Sequence, residues 1–494
     1  MHRLIRAGLG LALAGLLAAC DSGAVATATV ALPTLASTGT ATAPLTTAEI
    51  ALPTPLTALP TVAETALPTA AETALPTAVE TALPTATEEI SATATGAMAT
   101  ETPAAIVAPS TATTGAAAPA GEAKTALRLQ PVKIQTTAAT ATGLFADGQT
   151  LNLPPGFAVN LYAAGVSGVR WLGLGPGGLL YATAPGAGKV YTLPDANGDG
   201  VADAVQTFAD GLPGVHGIAF RDGAVYVATE SQIIRLTDSN GDGVADKRTV
   251  LASDLPSGGG HSTRTLLFQP DGSLLVAAGS SCNVCKETNA KRAAVSLYSA
   301  DGTFQRVFAA GLRNAVGLIA QPGSNTVWAS VNGRDGLGDN TPPETIYQVQ
   351  SGQNYGWPYC YGQRIPDTTQ SPPAGYCAQT GVPAVEMQAH SAPLGLAFYD
   401  GKQFPAQFAG DLFVAFHGSW NRSVPTGYKL VRVRFVNGQP DSRAGNALVE
   451  DFATGWNRNG AVWGRPVEPL VAPDGALLLT DDKAGAIYRI TYAP

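Results

Sequence analysis

Charge is scarce in this chain: Asp, Glu, Lys and Arg make up only 13% of its 494 residues, and the net charge is −8. No cluster of Lys and Arg is present to track a phosphate backbone, which argues against a nucleic-acid partner. Aromatic residues are missing altogether from Asp21 to Thr142, so that stretch has little from which to build a core. Beyond a short N-terminal run, no apolar segment is long enough to span a bilayer. Cysteine and histidine are rare, five of each, and each one therefore carries information.

The run Leu9 to Leu17 follows Arg3 and Arg6 and is too short to cross a membrane, so it reads as the core of an export signal. It leads into Leu17-Ala18-Ala19-Cys20, which resembles the lipobox of bacterial lipoproteins, whose cysteine is acylated and becomes the first residue. The expectation is a signal over residues 1–19, a lipidated Cys20, and an exported protein held on a membrane, facing the cell exterior or periplasm. A cleaved signal with an incidental cysteine is the alternative. Residues 20–143 are dominated by Ala, Thr and Pro, with Ala-Leu-Pro-Thr recurring at Ala58, Ala66, Ala74 and Ala82. Proline at that interval breaks helices, and alanine buries too little area to offset the entropy of ordering; a disordered stalk is predicted.

Residues 144–494 change character. Short β-rich runs alternate with Gly, Asp and Pro turns, and a unit of strand, Asp-Gly-type turn and second strand recurs. It is seen at Trp171 with Leu179, Gly217 with Ala224, Leu266 with Leu274, Val316 with Val327, Leu394 with Leu412, and Pro469 with Ala476. Six such units predict an all-β, six-bladed β-propeller of four-stranded blades around a channel. A two-sheet sandwich accommodates six similar units poorly. The last unit is one strand short, and Phe157–Tyr162 precedes the first unit unpaired, so this segment is predicted to complete the last blade and remove the open edges.

With Cys20 assigned to the anchor, Cys282, Cys285, Cys360 and Cys377 remain. Export favours two local disulfides, Cys282 to Cys285 and Cys360 to Cys377, over a zinc site made by all four thiolates. Lys286 follows Cys285 where covalent haem attachment would require His. The loops Asp195, Asn197, Asp199, Asp203 and Asp238, Asn240, Asp242, Asp246 resemble the start of a calcium loop but lack its twelfth-position Glu. Asx-rich turns are the competing reading.

In a propeller the residues just before each inner strand crowd around one mouth. Those positions hold His216, His261 with Arg264, Arg313 with Asn314, His390 and Arg465, and His417 follows a second strand. A cationic, imidazole-rich mouth in an acidic protein fits a polyanionic ligand.

Several segments carry a resemblance: His261-Ser262-Thr263-Arg264, Gly311-Leu312-Arg313-Asn314, Asn354-Tyr355-Gly356-Trp357-Pro358 and Gly464-Arg465-Pro466-Val467. In this order they resemble the family of soluble glucose and sorbosone dehydrogenases that use pyrroloquinoline quinone (PQQ) on a six-bladed propeller. Ser281-Cys282-Asn283-Val284-Cys285 and His417-Gly418-Ser419-Trp420-Asn421-Arg422 match the sorbosone branch in particular. The resemblance implies oxidation of an aldose or sugar aldehyde, with His261 as general base and hydride passing to the C5 carbonyl of the quinone. It implies that Arg313 and Asn314 meet the quinone oxygens and that Arg465 meets a cofactor carboxylate. Val467 stands where a second arginine is expected, a threonine position falls at His390, and the fifth-blade lysine has no clear counterpart; Arg422 or Lys429 would substitute, with His216 and His417 nearby. Calcium is implied beside the cofactor in the loop Asn332-Gly333-Arg334-Asp335, continuing through Asp339 to Glu344. The implied partners are a sugar, the membrane through the anchor, and a membrane or soluble electron acceptor. A metal-dependent lactonase-type propeller and a non-catalytic propeller that binds glycan or protein are the competing functions.

Overall fold

The computed structural model describes residues 126–493. Cys20, the signal and most of the stalk lie outside the described residues. Six four-stranded antiparallel sheets follow one another along the chain. The first four blades begin with the inner strands Leu172–Leu174, Ile218–Arg221, Arg264–Phe268 and Ala315–Ala320. Pro393–Phe398 and Pro466–Val471 open the fifth and sixth. Each inner strand packs on the next, and the sixth packs on the first, so the ring closes.

Closure uses the predicted segment. Phe157–Ala164 pairs antiparallel with Ala486–Tyr492 as the outermost strand of blade six. The strand is pinned by its own aromatic residue, since Phe157 makes edge contacts with Phe404 at 4.7 Å and Phe452 at 5.0 Å. Such pairs add about 0.5–1.5 kcal/mol each beyond area burial. The fold begins earlier than residue 144, however. Gln130–Lys133 pairs with Thr150–Leu153, Ile134 is buried in the same core as Phe157, and the Leu127 amide donates to Glu450 at 3.1 Å. The alternating Val132 and Ile134 are the apolar residues that set this stretch apart from the alanine-rich segment before it.

Hydroxyls bond successive blades together at the mouth. Thr183 donates to His216 O at 2.8 Å, Thr265 to Val316 O at 2.6 Å, Ser330 to Leu394 O at 2.5 Å and Thr480 to Arg170 O at 2.6 Å. Inner strands approach so closely there that a side chain does not fit. A Cβ on Gly317 would stand 2.3 Å from Leu394 O and 2.6 Å from Ser330 Oγ. Gly317→Ala is therefore expected to cost about 1–3 kcal/mol, as overpacking does, read as a lower melting temperature; an unchanged melting temperature would show that the blades have slack.

Candidate functional site

At the mouth a cavity of ≈ 360 Å³ opens among blades one to five, lined by Arg170, His216, His261, Thr263, Asn314 and Leu394 among others. His261 follows Gly258-Gly259-Gly260. Its Nδ1 lies 2.8 Å from Ser280 O and 3.0 Å from Ser280 Oγ, whose own proton goes to Cys282 O at 2.7 Å. The carbonyl can only accept, so Nδ1 carries the proton and Nε2 keeps its lone pair. Among the described residues Nε2 has no hydrogen-bond partner. Burial, followed by the charge of Arg313, lowers the imidazole pKa to about 4, so the ring is neutral at pH 7. Arg264 is not at the mouth surface: it is fully buried and donates to the carbonyls of His261 at 3.0 Å, Thr263 at 2.6 Å and Pro256. It braces the loop that carries the histidine.

A second group centres on Asp482. Arg170 Nη1 lies 2.6 Å from its carboxylate, His417 Nε2 3.0 Å and Arg465 Nε 3.1 Å. Burial works to raise this carboxyl's pKa, but His417, Arg170 and Arg465 outweigh it and hold the value down to about 2. Arg465 remains 42% exposed at the side chain, whereas burial lowers the His417 pKa. Sequence reasoning missed Arg170 and Asp482. Arg170 stands just before the inner strand of blade one, the position that flagged His216 and Arg465. Asp482 follows the second strand Leu477–Asp481, as His417 follows Leu412–Phe416. The mouth is thus built from two rings of positions, one before first strands and one after second strands.

Other expected site residues are placed differently. His216 borders the cavity but packs on Trp171 with ring centroids 4.5 Å apart, and neither ring nitrogen has a partner among the described residues. Burial, then Arg170, keeps it neutral with a pKa well below the usual range. Asn314 reaches the cavity; Nδ2 donates to Asn332 Oδ1 at 3.0 Å, and buried Oδ1 has no partner. Gly279 makes room for this pair, since a Cβ there would lie 2.3 Å from Asn314 Oδ1 and 2.7 Å from His261 Cβ. Arg313, buried beside Asn314, bonds to protein acceptors. Its donors go to Asn283 O at 2.9 Å, Asn283 Oδ1 at 3.0 Å, Gly333 O at 2.7 Å and Asn332 O at 3.3 Å.

His390, Arg422 and Lys429 are also used elsewhere. His390 Nε2 lies 2.8 Å from Gly338 O and its Nδ1 accepts from Asn421 at 3.1 Å, which fixes its tautomer and ties two loops together. Arg422 donates to Ala389 O at 3.2 Å. Lys429 pairs at 2.6 Å with Asp451 on the outer strand Val449–Ala453, facing away from the mouth because its carboxylate partner is there.

The side chains named for calcium have protein partners. Both Glu344 oxygens accept backbone amides, from Gly333 at 2.7 Å and Ala392 at 3.1 Å, and burial raises its pKa to about 7. Asp339 accepts from Ser423, Arg334 pairs with Asp367 at 2.6 Å, and Gly333 O is taken by Arg313. In the two Asp-rich loops the carboxylates cap their own turns: Asp195 accepts from Asp199 N and Gly200 N, and Asp238 from Gly241 N and Gly243 N. Asn197 and Asn240 likewise accept from Asp199 N and Asp242 N. Asp203 and Asp246 close the loops onto Ala196 N and Ser239 N. These bonds make each loop a set of Asx-type turns.

Both expected disulfides are present, Cys282–Cys285 and Cys360–Cys377, which removes the four-thiolate zinc site. No helix among the described residues is long and apolar enough to cross a membrane.

Residues 151–493 match the family model described as TrAA12-like. An uncharacterized protein of Borreliella burgdorferi is 35% identical over 229 residues, covering 44% of this chain and 57% of that protein. The pyrroloquinoline quinone-dependent pyranose dehydrogenase of Coprinopsis cinerea is 29% identical over 233 residues, 38% of this chain and 31% of that enzyme. An aldose sugar dehydrogenase of Escherichia coli is 29% identical over 203 residues, 38% and 45% respectively. The chain thus spans less than two thirds of each of these relatives. In three dimensions it is similar to the holo PQQ domain of the Coprinopsis cinerea pyranose dehydrogenase, with TM-score 0.62, 20% identity, and coverage of 72% of this chain and 99% of that one. A Trichoderma reesei structure of Carbohydrate-Active Enzymes family AA12 gives TM-score 0.60 at 23% identity over 69% and 97%. At these identities the structural likeness is one of fold.

Proposed function

Because the chain belongs to the TrAA12-like family, we propose that it is a PQQ-dependent dehydrogenase that oxidises an aldose or sugar aldehyde, with a sorbosone-like compound as the finer expectation. The observation that carries this reading is the neutral His261, with Nδ1 bonded to Ser280 O and Nε2 unpartnered at a cavity that Arg170 and Asn314 also line. The residues fit an anionic quinone through the guanidinium groups of Arg170, which lines the cavity, and Arg465, which shares its carboxylate partner Asp482. When bound there, PQQ supplies an o-quinone that accepts hydride. His261 Nε2 takes the proton of the sugar C1 hydroxyl as the C1 hydride leaves, so a cyclic aldose becomes a lactone. Ser280 orients the ring, and Asp482 keeps Arg170 and Arg465 directed to one place. The side chains assigned to calcium are engaged with protein partners: Glu344 with the Gly333 and Ala392 amides, Asp339 with Ser423 and Arg334 with Asp367.

The anchor at Cys20 would hold the propeller near a membrane, and a membrane or soluble electron acceptor would reoxidise the cofactor. Adding PQQ to the purified chain and following dye reduction with a panel of aldoses and sugar aldehydes tests the reading; no turnover and no PQQ binding would refute it. The pH profile is a further check. A base with a pKa lowered to about 4 is competent down to that value, so the acid limb of kcat/KM is expected near pH 4. A limb near the ordinary histidine value of about 6.5 would place the base elsewhere.

A further inference from the structure

The Cys282–Cys285 disulfide closes a short loop whose tip bonds Arg313, the neighbour of the cavity-lining Asn314. Asn283 accepts Arg313 Nε–H on its main-chain oxygen at 2.9 Å and Nη2–H on Oδ1 at 3.0 Å. The same Oδ1 accepts the Asp335 amide at 2.8 Å, and Asn283 Nδ2 donates to Asp335 O at 3.1 Å. One side chain therefore grips a guanidinium and the neighbouring 332–335 loop together. Arg313 is only 6% exposed and gives its other donors to Gly333 O and Asn332 O. The disulfide also reaches the other side of the site, because Cys282 O accepts from Ser280, the residue that holds His261 Nδ1.

We propose that Asn283, presented by the Cys282–Cys285 disulfide, is the positioning residue that fixes Arg313 and the 332–335 loop behind the cofactor wall. The proposal rests on the reading of the cavity as a quinone site. A guanidinium held through four donors has one orientation, and a buried donor that loses its acceptor carries the full cost of its desolvation. With Asn283 truncated, Arg313 loses the side-chain bond that aligns it and Asp335 loses both of its bonds to the asparagine. Arg313 then no longer holds a fixed charge beside His261, whose proton affinity is depressed first by burial and then by that charge.

The test uses the full chain and two readouts. In absorbance titrations with PQQ, Asn283→Ala and the Cys282→Ser/Cys285→Ser pair are expected to weaken binding about tenfold, the scale of a lost charge-assisted hydrogen bond. Asn283→Asp keeps the acceptor for both N–H groups but loses the donor to Asp335 O, so its affinity is expected to fall between those of the wild type and Asn283→Ala. Hydrogen exchange requires no cofactor: the Asp335 amide is protected in the wild type and exposed in Asn283→Ala, while Cys360→Ser/Cys377→Ser leaves it protected. If Asn283→Ala binds PQQ as the wild type does, or keeps Asp335 protected, the proposal is overturned. If the wild type does not bind PQQ yet Asn283→Ala deprotects Asp335, the clamp stands and the cofactor reading falls.

Discussion

Replacing His261 by Ala is expected to lower kcat/KM for a sugar by about 10²–10⁴-fold, the usual contribution of a positioned general base, while the protein still binds PQQ. Among the described histidines, His261 lines the cavity with one ring nitrogen held by a hydrogen bond and the other unpartnered. Ser280 O holds Nδ1 at 2.8 Å, whereas His216 is packed against Trp171 and His417 is committed to Asp482. The substitution should leave the mouth's other partners in place, because Arg264 and Arg292 bond to the main-chain oxygen of residue 261 rather than to its ring. Loss of kcat/KM with retained PQQ affinity, measured by single-turnover reduction, is the expected pattern. Retained turnover would move the base to another residue.

The second large effect concerns stability. Arg432 is 2% exposed and is surrounded by two buried acids, bonding Asp411 at 2.5 Å and Glu450 at 3.0 Å while its guanidinium lies 4.2 Å from the centre of the Phe408 ring. Arg434 shares Glu450 at 2.9 Å, and Glu450 in turn receives the Leu127 amide. Arg432→Met keeps most of the apolar stem but leaves two buried carboxylates short of a cation, a loss of about 3–5 kcal/mol for a broken buried pair. A fall of about 4–7 °C in melting temperature follows, because an unfolding entropy of about 2.1 cal/mol/K per residue makes the shift roughly 1.4 °C per kcal/mol for a domain of about 350 residues. The 127–134 segment should also become more accessible to protease, since Glu450 anchors it. An unchanged melting temperature would show that the acids find other partners.

How much of this was legible in the sequence depends on whether the signal is local. The blade repeat and the closing strand are written as alternating apolar residues between Gly and Asp turns, a pattern fixed by the pleat itself. His261 follows a triple glycine before a strand, so its place at the mouth is local too. The direction of Arg313 is not, because Asn283, thirty positions away, captures its guanidinium. Glu344 reads as a possible metal ligand by residue type, but two backbone amides brought together by the fold have already taken its oxygens. Asp482 carries no motif, and its importance comes from three basic side chains, Arg170, His417 and Arg465, arriving from blades one, five and six. The start of the fold was obscured for a different reason: Val132 and Ile134 stand within an Ala/Thr-rich run, and their burial depends on a strand and a core supplied by later residues.

The central claim is that the mouth around His261 binds PQQ and passes sugar-derived hydride to it. The most direct measurement is the absorbance spectrum of the purified chain loaded with one equivalent of PQQ, recorded before and after addition of an aldose or sugar aldehyde under exclusion of oxygen. The account predicts retention of PQQ through gel filtration and conversion of the oxidised to the reduced quinone spectrum on sugar addition, with conversion abolished in His261→Ala. PQQ that elutes free of the protein, or a bound spectrum that no sugar changes, would contradict it.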